Sequence, residues 1–360
     1  MRTPLGDVMW LVRDYTLGRR VLTDSRFSRA AAARPGAPQL SSSGPAPTSI
    51  MSLDGSDHAR LRRIVAMAFT TGRMARLRPF VEQTATDLLT TLAQKGSPAD
   101  LITGYASPLP ATVLGVLLGV PPADRPLFES SVEVVFDLTA GTDDEKARHQ
   151  LRLVDYMVSL VTQKQSDPGD DLMTMLVGAH QQGQLSKAEL VSLGLALLTA
   201  GYETTAGQLG LSVLALLRTG EPGRYAADPA RLEGIVEELM RLSPATPVSF
   251  PRVATEDVDL GPVTVAAGEA VLVSFLEGNR DESIYPEPAT VLAGRQAPHL
   301  TFGHGVHRCL GAPLARLQLR TALELLFRRF PDLRLAPGDD AVVFKSGLLT
   351  RGLARLAVTW

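Results

Sequence analysis

The spacing of apolar residues predicts helices over most of the chain and strands in one segment. From Asp57 to about Gly220, apolar positions recur at helical spacing, with breaks at the turn-forming stretches KGSP, VPPADRP and SDPGDD. Between Ser249 and Ser274 the pattern changes to short valine-rich runs separated by glycines, which predicts strands. Helical spacing returns from Ala312 to Phe330, and the C-terminal GLLTRGLARLAVTW predicts a closing hairpin. The chain is therefore predicted to be mainly α-helical with a minor β portion.

A Pro/Ser/Gly/Ala-rich stretch from Ala30 to Ser49 has no periodicity and predicts a long loop. Loops of that length inside a compact domain are usually functional or disordered. The longer loop from Ala30 to Asp54, which carries little charge, is expected to form a mobile lid over a large, mostly apolar ligand.

One helical segment is unusually long and apolar. Ser186 and Glu189 form a capping box at its start, and Gly220 is suited to end it. About 33 residues at 1.5 Å each predict a rod on the order of 50 Å. Since apolar residues cover it nearly all round, the helix is either buried or membrane-spanning. Glu203 in its middle favours a buried central helix, because an ion is costly inside a membrane.

The polar stretch AGYETT lies in the middle of this helix. Ala200 and Gly201 remove side-chain bulk, and a threonine can bond to a carbonyl one turn earlier and bend the helix. Such a bend would open a notch lined by the Thr204 hydroxyl and the Glu203 carboxylate. A satisfied polar patch at a helix crossing explains the same residues equally well.

Two further helical motifs are ambiguous on spacing alone. Glu238 and Arg241, in EELMR, lie at i and i+3 and can form a pair, although most such pairs are solvated surface contacts. His58 and Arg62, in DGSDHARLRR, lie at i and i+4 and can grip an anion, or they can form an exposed basic face.

Composition narrows the functional classes. The 360 residues carry a formal net charge of −2, from 36 basic and 38 acidic side chains, which argues against a nucleic-acid partner. A single cysteine allows no intramolecular disulfide and favours the cytosol. The first 20 residues have only short apolar runs, unlike a signal peptide or a membrane anchor.

That single cysteine lies in FGHGVHRCLG. Cys309 precedes a helix with Pro313 in its first turn, so free N–H groups and the helix dipole would favour a thiolate there. Gly303 and Gly305 suit a tight turn with positive φ, and Gly311 leaves room for a flat group near the backbone.

Three kinds of site are compatible with this cysteine. It could be a nucleophile, although no base is identified, or a thiolate ligand of haem iron, which fits the adjacent space for a planar ring. A zinc site is less well matched, because the ligand spacing is irregular. Its ligands would be His299, His304, His307 and Cys309.

Taken together, the motifs resemble those of the cytochrome P450 family. FGHGVHRCLG matches the family's haem-binding signature in full, AGYETT resembles its oxygen-activation motif, and EELMR resembles its Glu-x-x-Arg motif. Their order and spacing also match, and the resemblance extends from about Gly6 to Trp360. It implies a single domain over residues 1–360, with a P450 fold and a long central helix over the haem.

The resemblance implies haem b as the cofactor, with Cys309 as the axial thiolate ligand of the iron. Further residues match cofactor-binding positions. Phe302, Gly303, Gly305 and Gly311 surround the sulfur, Ala200 and Gly201 line the oxygen pocket, and His58, Arg62, Arg252 and His307 hold the haem propionates.

By the same resemblance, Thr204 and Glu203 are the catalytic alcohol and acid that guide protons to dioxygen. The implied reaction is hydroxylation or epoxidation of a fairly large, mostly apolar secondary metabolite, such as a polyketide or a peptide. The expected substrate-binding residues are Ala200, Val248, Ser249 and Leu348. Oxidative coupling or peroxide-driven oxidation is an alternative reaction, and a catalytically silent recruitment protein is an alternative of another class.

The implied partners are ferredoxin, ferredoxin reductase and a small-molecule substrate, with no nucleic acid and no membrane. A cytoplasmic monomer is expected. A basic face that could receive the ferredoxin comprises Arg63, Arg308, Arg316 and Arg320.

The chain departs from the family pattern in two places. Thr290 stands where a basic residue usually completes the Glu-x-x-Arg network, and Arg295 is a candidate substitute. The N-terminus is also shorter than is usual for the family.

Overall fold

Helices dominate the computed structural model, which describes residues 1–42, 44–138, 142–220 and 229–360. In chain order the α-helices are α1 (Tyr15–Thr23), α2 (Arg29–Ala32), α3 (Gly55–Ala66), α4 (Thr71–Lys95), α5 (Pro108–Leu118), α6 (Arg125–Phe136), α7 (Asp143–Ser166), α8 (Leu172–Gln181), α9 (Lys187–Gly201), α10 (Glu203–Leu217), α11 (Pro229–Leu242), α12 (Phe275–Gly278) and α13 (Ala312–Arg329).

Short strands form the minor β portion. They are β1 (Trp10–Val12), β2 (Phe27–Ser28), β3 (Ala99–Asp100), β4 (Arg252–Ala254), β5 (Val258–Asp259), β6 (Thr264–Val265), β7 (Ala270–Val273), β8 (Arg334–Leu335), β9 (Val342–Phe344) and β10 (Leu353–Thr359). One sheet has the order β1-β7-β4-β2, in which β1 and β7 are parallel and the other pairs antiparallel. In another, β10 pairs with β3, β8 and β9, while β5 and β6 form a hairpin. The predicted balance of helix and strand is confirmed.

The predicted closing hairpin is present, but its first strand lies further upstream. β10 falls within the predicted stretch and pairs antiparallel with β9, which ends at Phe344, before that stretch begins. The residues between Lys345 and Gly352 form the connection, and Lys345 donates its backbone N–H to the Gly352 carbonyl at 3.0 Å.

The predicted long central helix is present as two consecutive segments that together run from Lys187 to Leu217, with one interruption in place of a continuous rod. α9 and α10 have 15 residues each and are interrupted at Tyr202, where φ is −89° and ψ is −72°. The Thr204 hydroxyl donates to the Ala200 carbonyl at 2.8 Å and satisfies an acceptor of the preceding turn. The bend expected from AGYETT is therefore confirmed.

α10 is largely buried and packs against α5, α11, α13 and β10, whereas α9 buries mainly one face, which includes Leu190, Leu193 and Leu198. A close approach at Gly207 allows this position, because a Cβ there would lie 2.6 Å from the Arg351 carbonyl oxygen. Over the described parts of the chain, no helix combines the length and apolar character needed to cross a membrane.

Glu238 and Arg241 form a buried ion pair on α11, so the surface-contact alternative is wrong. Their side chains have relative exposures of 4% and 1%. Arg241 donates Nε to Oε1 at 2.7 Å and Nη2 to Oε2 at 2.8 Å, and its Nη1 donates to the carbonyls of Asn279 and Pro288. The N–H donors that the pair leaves free therefore all meet backbone carbonyl oxygens, with that of Thr290 accepting from Nη2.

Arg295 completes this network, as expected. Its Nε donates to Glu238 Oε2 at 2.9 Å, whereas Thr290 contributes its carbonyl oxygen. Although burial acts to raise the pKa of Glu238, hydrogen bonds from Arg241, the Leu292 N–H and Arg295 hold that pKa below its usual range. The carboxylate is thus kept charged by its partners.

The network fixes the chain that leads into residues 302–311, the loop that carries Cys309 and is called the cysteine loop below. Asn279, whose carbonyl accepts from Arg241, accepts the Leu300 N–H at 2.6 Å through its side-chain oxygen and donates to Thr301 Oγ1 at 2.9 Å. Thr301 in turn donates to the Met240 carbonyl on α11 at 2.8 Å. The residues directly before Phe302 are therefore tied to the ion pair.

We expect Glu238→Gln to destabilise the fold by about 3 to 5 kcal/mol, because it leaves the Arg241 charge buried without its carboxylate. Urea denaturation of the purified protein measures this difference. Glu324→Gln on α13 is the matched control, since Glu324 pairs with the exposed Arg328 at 3.7 Å, and its cost should stay below about 0.5 kcal/mol. Equal costs for the two variants would contradict the prediction.

Candidate active site

A cavity of about 330 Å³ lies between the α9–α10 bend and the cysteine loop. Apolar side chains from several elements line most of it, among them Ile50, Phe69 and Leu114. Cys309 lines the cavity, as do the small residues Ala200 and Gly201 at the bend. The cavity therefore brings together two motifs that are more than 100 residues apart in the chain.

The cysteine loop is a tight turn, as predicted for its glycines. Gly303 and Gly305 have φ values of +69° and +73°, which favour glycine. A Cβ on Gly305 would also lie 2.8 Å from the Leu22 carbonyl oxygen. The Cys309 N–H donates to the Phe302 carbonyl at 2.8 Å and closes the loop just before α13.

Cys309 does not gain a low pKa from the helix start alone, which corrects the sequence-based expectation. Its side chain opens to the cavity but lies deep in the protein, and burial raises the pKa of the thiol. The N–H groups of Gly311 and Ala312 and the charges of Arg62 and Arg308 act in the opposite direction without overcoming burial. A bound cation at the sulfur would supply the missing stabilisation of the thiolate.

Basic and imidazole groups form part of the cavity lining. His58, Arg62, Arg252 and His307 all line it. Arg252 is 4% exposed, donates Nη1 to the Phe27 carbonyl at 3.0 Å, and has no partner for Nε among the described residues. Burial lowers its pKa to about 10, so the guanidinium stays charged at neutral pH.

The two imidazoles stack on each other beside Asp54. The ring centroids of His58 and His307 are 4.1 Å apart, and His307 Nε2 lies 3.3 Å from Asp54 Oδ1. Burial, together with the charges of His307 and Arg62, lowers the pKa of His58 to about 4. His58 is therefore neutral at pH 7.

Sequence reasoning missed one arginine of this group, Arg29, which also lines the cavity. It follows directly after β2, where Ser28 is in register with Val253, so Arg29 is the next residue opposite Arg252. Burial and the charge of Arg252 lower its pKa to about 9. The signal in the sequence is a lone arginine before the apolar run Ala30–Ala33.

The side chains of Thr204 and Glu203 lie in different environments. Thr204 lines the cavity. Glu203 is absent from its lining, is 3% exposed, and lies 3.1 Å from Lys345 Nζ through Oε1. The predicted notch holds the hydroxyl without the carboxylate.

Three of the four residues expected to contact the substrate line the cavity, and one lies elsewhere. Ala200, Val248 and Ser249 line the cavity. Leu348 does not, which corrects that expectation: it forms a β-bridge with Asp137, next to the Leu138 N–H that donates to the Gly347 carbonyl at 2.6 Å. The 345–352 connection therefore meets the end of α6 instead of the cavity wall.

The zinc hypothesis is wrong for the residues that the structure describes. Among them, no three His, Cys, Asp or Glu side chains meet in an arrangement that could hold a metal ion. The histidines have separate neighbours: His299 lies 3.2 Å from Glu237, His304 lies near Arg19, and His307 contacts Asp54.

The cavity suits a planar iron complex with anionic arms. A thiol between a glycine-rich loop and a helix start opens to it, and small residues at the bend and buried cationic groups line it as well. The unpartnered Arg252 Nε is a donor that such an arm would satisfy. The residues present thus fit haem, with its central iron and two propionates.

Comparison with known proteins gives a consistent result. The family model described as Cytochrome P450 matches residues 231–350. Nocardicin C N-oxygenase of Nocardia uniformis subsp. tsuyamanensis is 42% identical over 366 residues, covering 100% of this chain and 92% of that protein. Mycinamicin IV hydroxylase/epoxidase of Micromonospora griseorubida is 39% identical and covers 100% and 91%.

Solved structures agree with this assignment. The crystal structure of a putative thioether synthase involved in the tailoring step of griseoviridin has a TM-score of 0.95 and 39% identity, covering 99% of this chain and 92% of that one. A mycinamicin VIII C21 methyl hydroxylase bound to mycinamicin VIII has a TM-score of 0.89 and 33% identity, covering 98% and 90%. Fold, motifs and relatives agree that this chain belongs to the cytochrome P450 family and is a monooxygenase with haem b as its cofactor.

Proposed function

We propose that this P450 hydroxylates or epoxidises a fairly large, mostly apolar secondary metabolite of the polyketide or peptide type. The observation that carries the proposal is the cavity of about 330 Å³, walled mainly by apolar side chains, onto which Cys309 opens. The names of the relatives support it, since one is a nocardicin C N-oxygenase and another a mycinamicin IV hydroxylase/epoxidase. Ala200, Val248 and Ser249 would contact the substrate directly.

Cys309 would ligate the haem iron through its sulfur. Phe302 stacks with the guanidinium of Arg316 at 4.6 Å, which fixes the ring beside the loop. Gly303 and Gly311 line the cavity and would leave room for the porphyrin, whereas Gly305 allows the turn to pack against Leu22. Arg62, Arg252, His58 and His307 would hold the propionates, with neutral His58 acting as a hydrogen-bond donor. When bound, haem supplies dioxygen activation, and its thiolate ligand favours O–O cleavage.

Thr204 is the residue of this chain best placed to deliver a proton inside the cavity. Its hydroxyl donates to the Ala200 carbonyl at 2.8 Å and, after rotating about χ1, can donate towards the cavity that it lines. Glu203 would restore that proton from outside the cavity, on the side of Lys345. Ala200 and Gly201 keep this wall open to a small molecule.

Ferredoxin and ferredoxin reductase would supply the electrons, in the cytoplasm, to a monomeric enzyme. Of the basic residues expected on the docking face, Arg63 and Arg308 are exposed. Arg316 is bound by Glu237 at 2.7 Å, and Arg320 lies 3.5 Å from Glu233. The free positive charge on this face is therefore concentrated near Arg63 and Arg308.

The absorption spectrum of the reduced protein with carbon monoxide tests the haem-thiolate site. Wild-type protein should show the red-shifted thiolate band, and Cys309→Ala should lose it, because no other described thiol exists to replace the ligand. Thr199→Ala, a change on α9 outside the cavity lining, should keep the band. A band missing from the wild type, or surviving in Cys309→Ala, would refute the assignment.

Thr204→Ala should uncouple electron use from product formation, because it removes the hydroxyl that carries protons into the cavity. Product formed per NADH consumed should fall by about tenfold or more, with a matching rise in hydrogen peroxide. Thr199→Ala is the control, since its hydroxyl also donates to a carbonyl four residues earlier, at 2.9 Å, but does not line the cavity. If both threonine variants stay as coupled as the wild type, Thr204 has no role in proton delivery.

A further inference from the structure

Arg29 places a buried positive charge on the cavity wall. The residue is 6% exposed, and its guanidinium stacks over the Phe250 ring at 4.7 Å. It donates Nε to the Met51 carbonyl at 2.7 Å and Nη1 to the Pro251 carbonyl at 3.1 Å, and Nη2 also donates to Met51. A guanidinium has five N–H donors, so these contacts leave two for a ligand.

No carboxylate among the described residues lies within ion-pair distance of Arg29. Asp54 acts on it only through its longer-range charge, since the Asp54 carboxylate is already held by Ser28 Oγ at 2.6 Å, the Ala30 N–H at 2.9 Å and His307. A buried arginine stays charged, and an unpaired buried charge is strongly unfavourable.

The neighbouring Arg252 is likewise buried without a carboxylate partner among the described residues. Arg252 is 4% exposed, lines the cavity, makes no ion pair within the described chain, and its Nε has no partner there. Two adjacent arginines, both buried and both without a carboxylate from this part of the chain, create a local excess of positive charge. That excess requires an anion brought in by a ligand.

We propose that Arg29 is a carboxylate-binding residue of the cavity. The carboxylate belongs to a haem propionate or to the substrate, because both present the same planar acceptor to a guanidinium. The proposal rests on the haem-thiolate assignment. It adds to that assignment a cofactor ligand in the first case and, in the second, an anionic group on an otherwise apolar substrate.

Two substitutions of Arg29 distinguish the effect of its charge from the effect of its hydrogen bonds to backbone carbonyls. Arg29→Gln removes the charge, and Arg29→Lys keeps it but cannot reach the Met51 and Pro251 carbonyls together. Arg34→Gln removes a charge from an exposed side chain five residues further on and is the matched control. Thermal melting and the carbon monoxide spectrum of each variant show whether it folds and retains the thiolate ligand.

The first measurement is the affinity of the apoprotein for hemin, titrated by its Soret absorbance. If a propionate is the ligand, Arg29→Gln should weaken hemin binding by about ten- to a hundredfold, the effect of losing a hydrogen bond to a charged group. Arg29→Lys and Arg34→Gln should remain within a few-fold of the wild type.

The second measurement uses a twelve-carbon ω-imidazolyl carboxylic acid and its methyl ester as probes of the loaded protein. Both bind through imidazole to the iron, so their affinity ratio reports what the far end of the cavity prefers. If a substrate carboxylate is the ligand, the wild type should bind the acid about tenfold or more tightly than the ester, and Arg29→Gln should abolish that preference with hemin affinity unchanged.

Two outcomes overturn the proposal. In one, Arg29→Gln leaves both hemin affinity and the acid preference as in the wild type. In the other, Arg29→Lys loses as much hemin affinity or acid preference as Arg29→Gln, which would make Arg29 only a structural link between residues 44–54 and β4. If Arg29→Gln does not fold, Arg29→Lys is compared with the wild type, and a folded Arg29→Lys that loses the hemin affinity or acid preference of the wild type overturns the proposal. Failure of the haem assignment is distinct, since the wild type itself would then lack the thiolate band.

Discussion

The buried ion pair between Glu238 and Arg241 is the interaction on which the position of Cys309 depends. It satisfies a guanidinium that is 1% exposed and, through Asn279, holds the two residues before Phe302. From that fixed point the loop closes on itself through the Cys309 N–H and the Phe302 carbonyl. The ion pair is deep in the protein and makes no contact with the cavity, yet it determines where the sulfur stands.

The cavity lining contains two groups with opposite electrostatic needs. At the sulfur, burial opposes the charged thiolate, and a ligated iron would stabilise it. Elsewhere in the lining, Arg29 and Arg252 are charged and buried without an ion pair to any described carboxylate. Haem would satisfy both groups, because it carries a cationic metal at its centre and carboxylates at its edge.

The sequence predicted those features that depend on local spacing. The breaks between helices, the positive φ of Gly303 and Gly305 and the bend at AGYETT follow from short motifs, while the contact of Arg295 with Glu238 was expected from the family resemblance. Features set by distant parts of the chain were missed. Glu203 is drawn away from the cavity by Lys345, 142 residues later, and Leu348 is held by Asp137. Arg29 enters the site because β2 pairs with β4, a register that no local pattern encodes.

The central claim is that Cys309 binds the haem iron through its sulfur. X-ray absorption at the iron K-edge tests it most directly, because the fine structure distinguishes sulfur from nitrogen and oxygen neighbours. The wild-type protein should show one sulfur in the first shell of the iron, and Cys309→Ala reconstituted with hemin should show none. A first shell containing only nitrogen or oxygen neighbours in the wild type would contradict the claim.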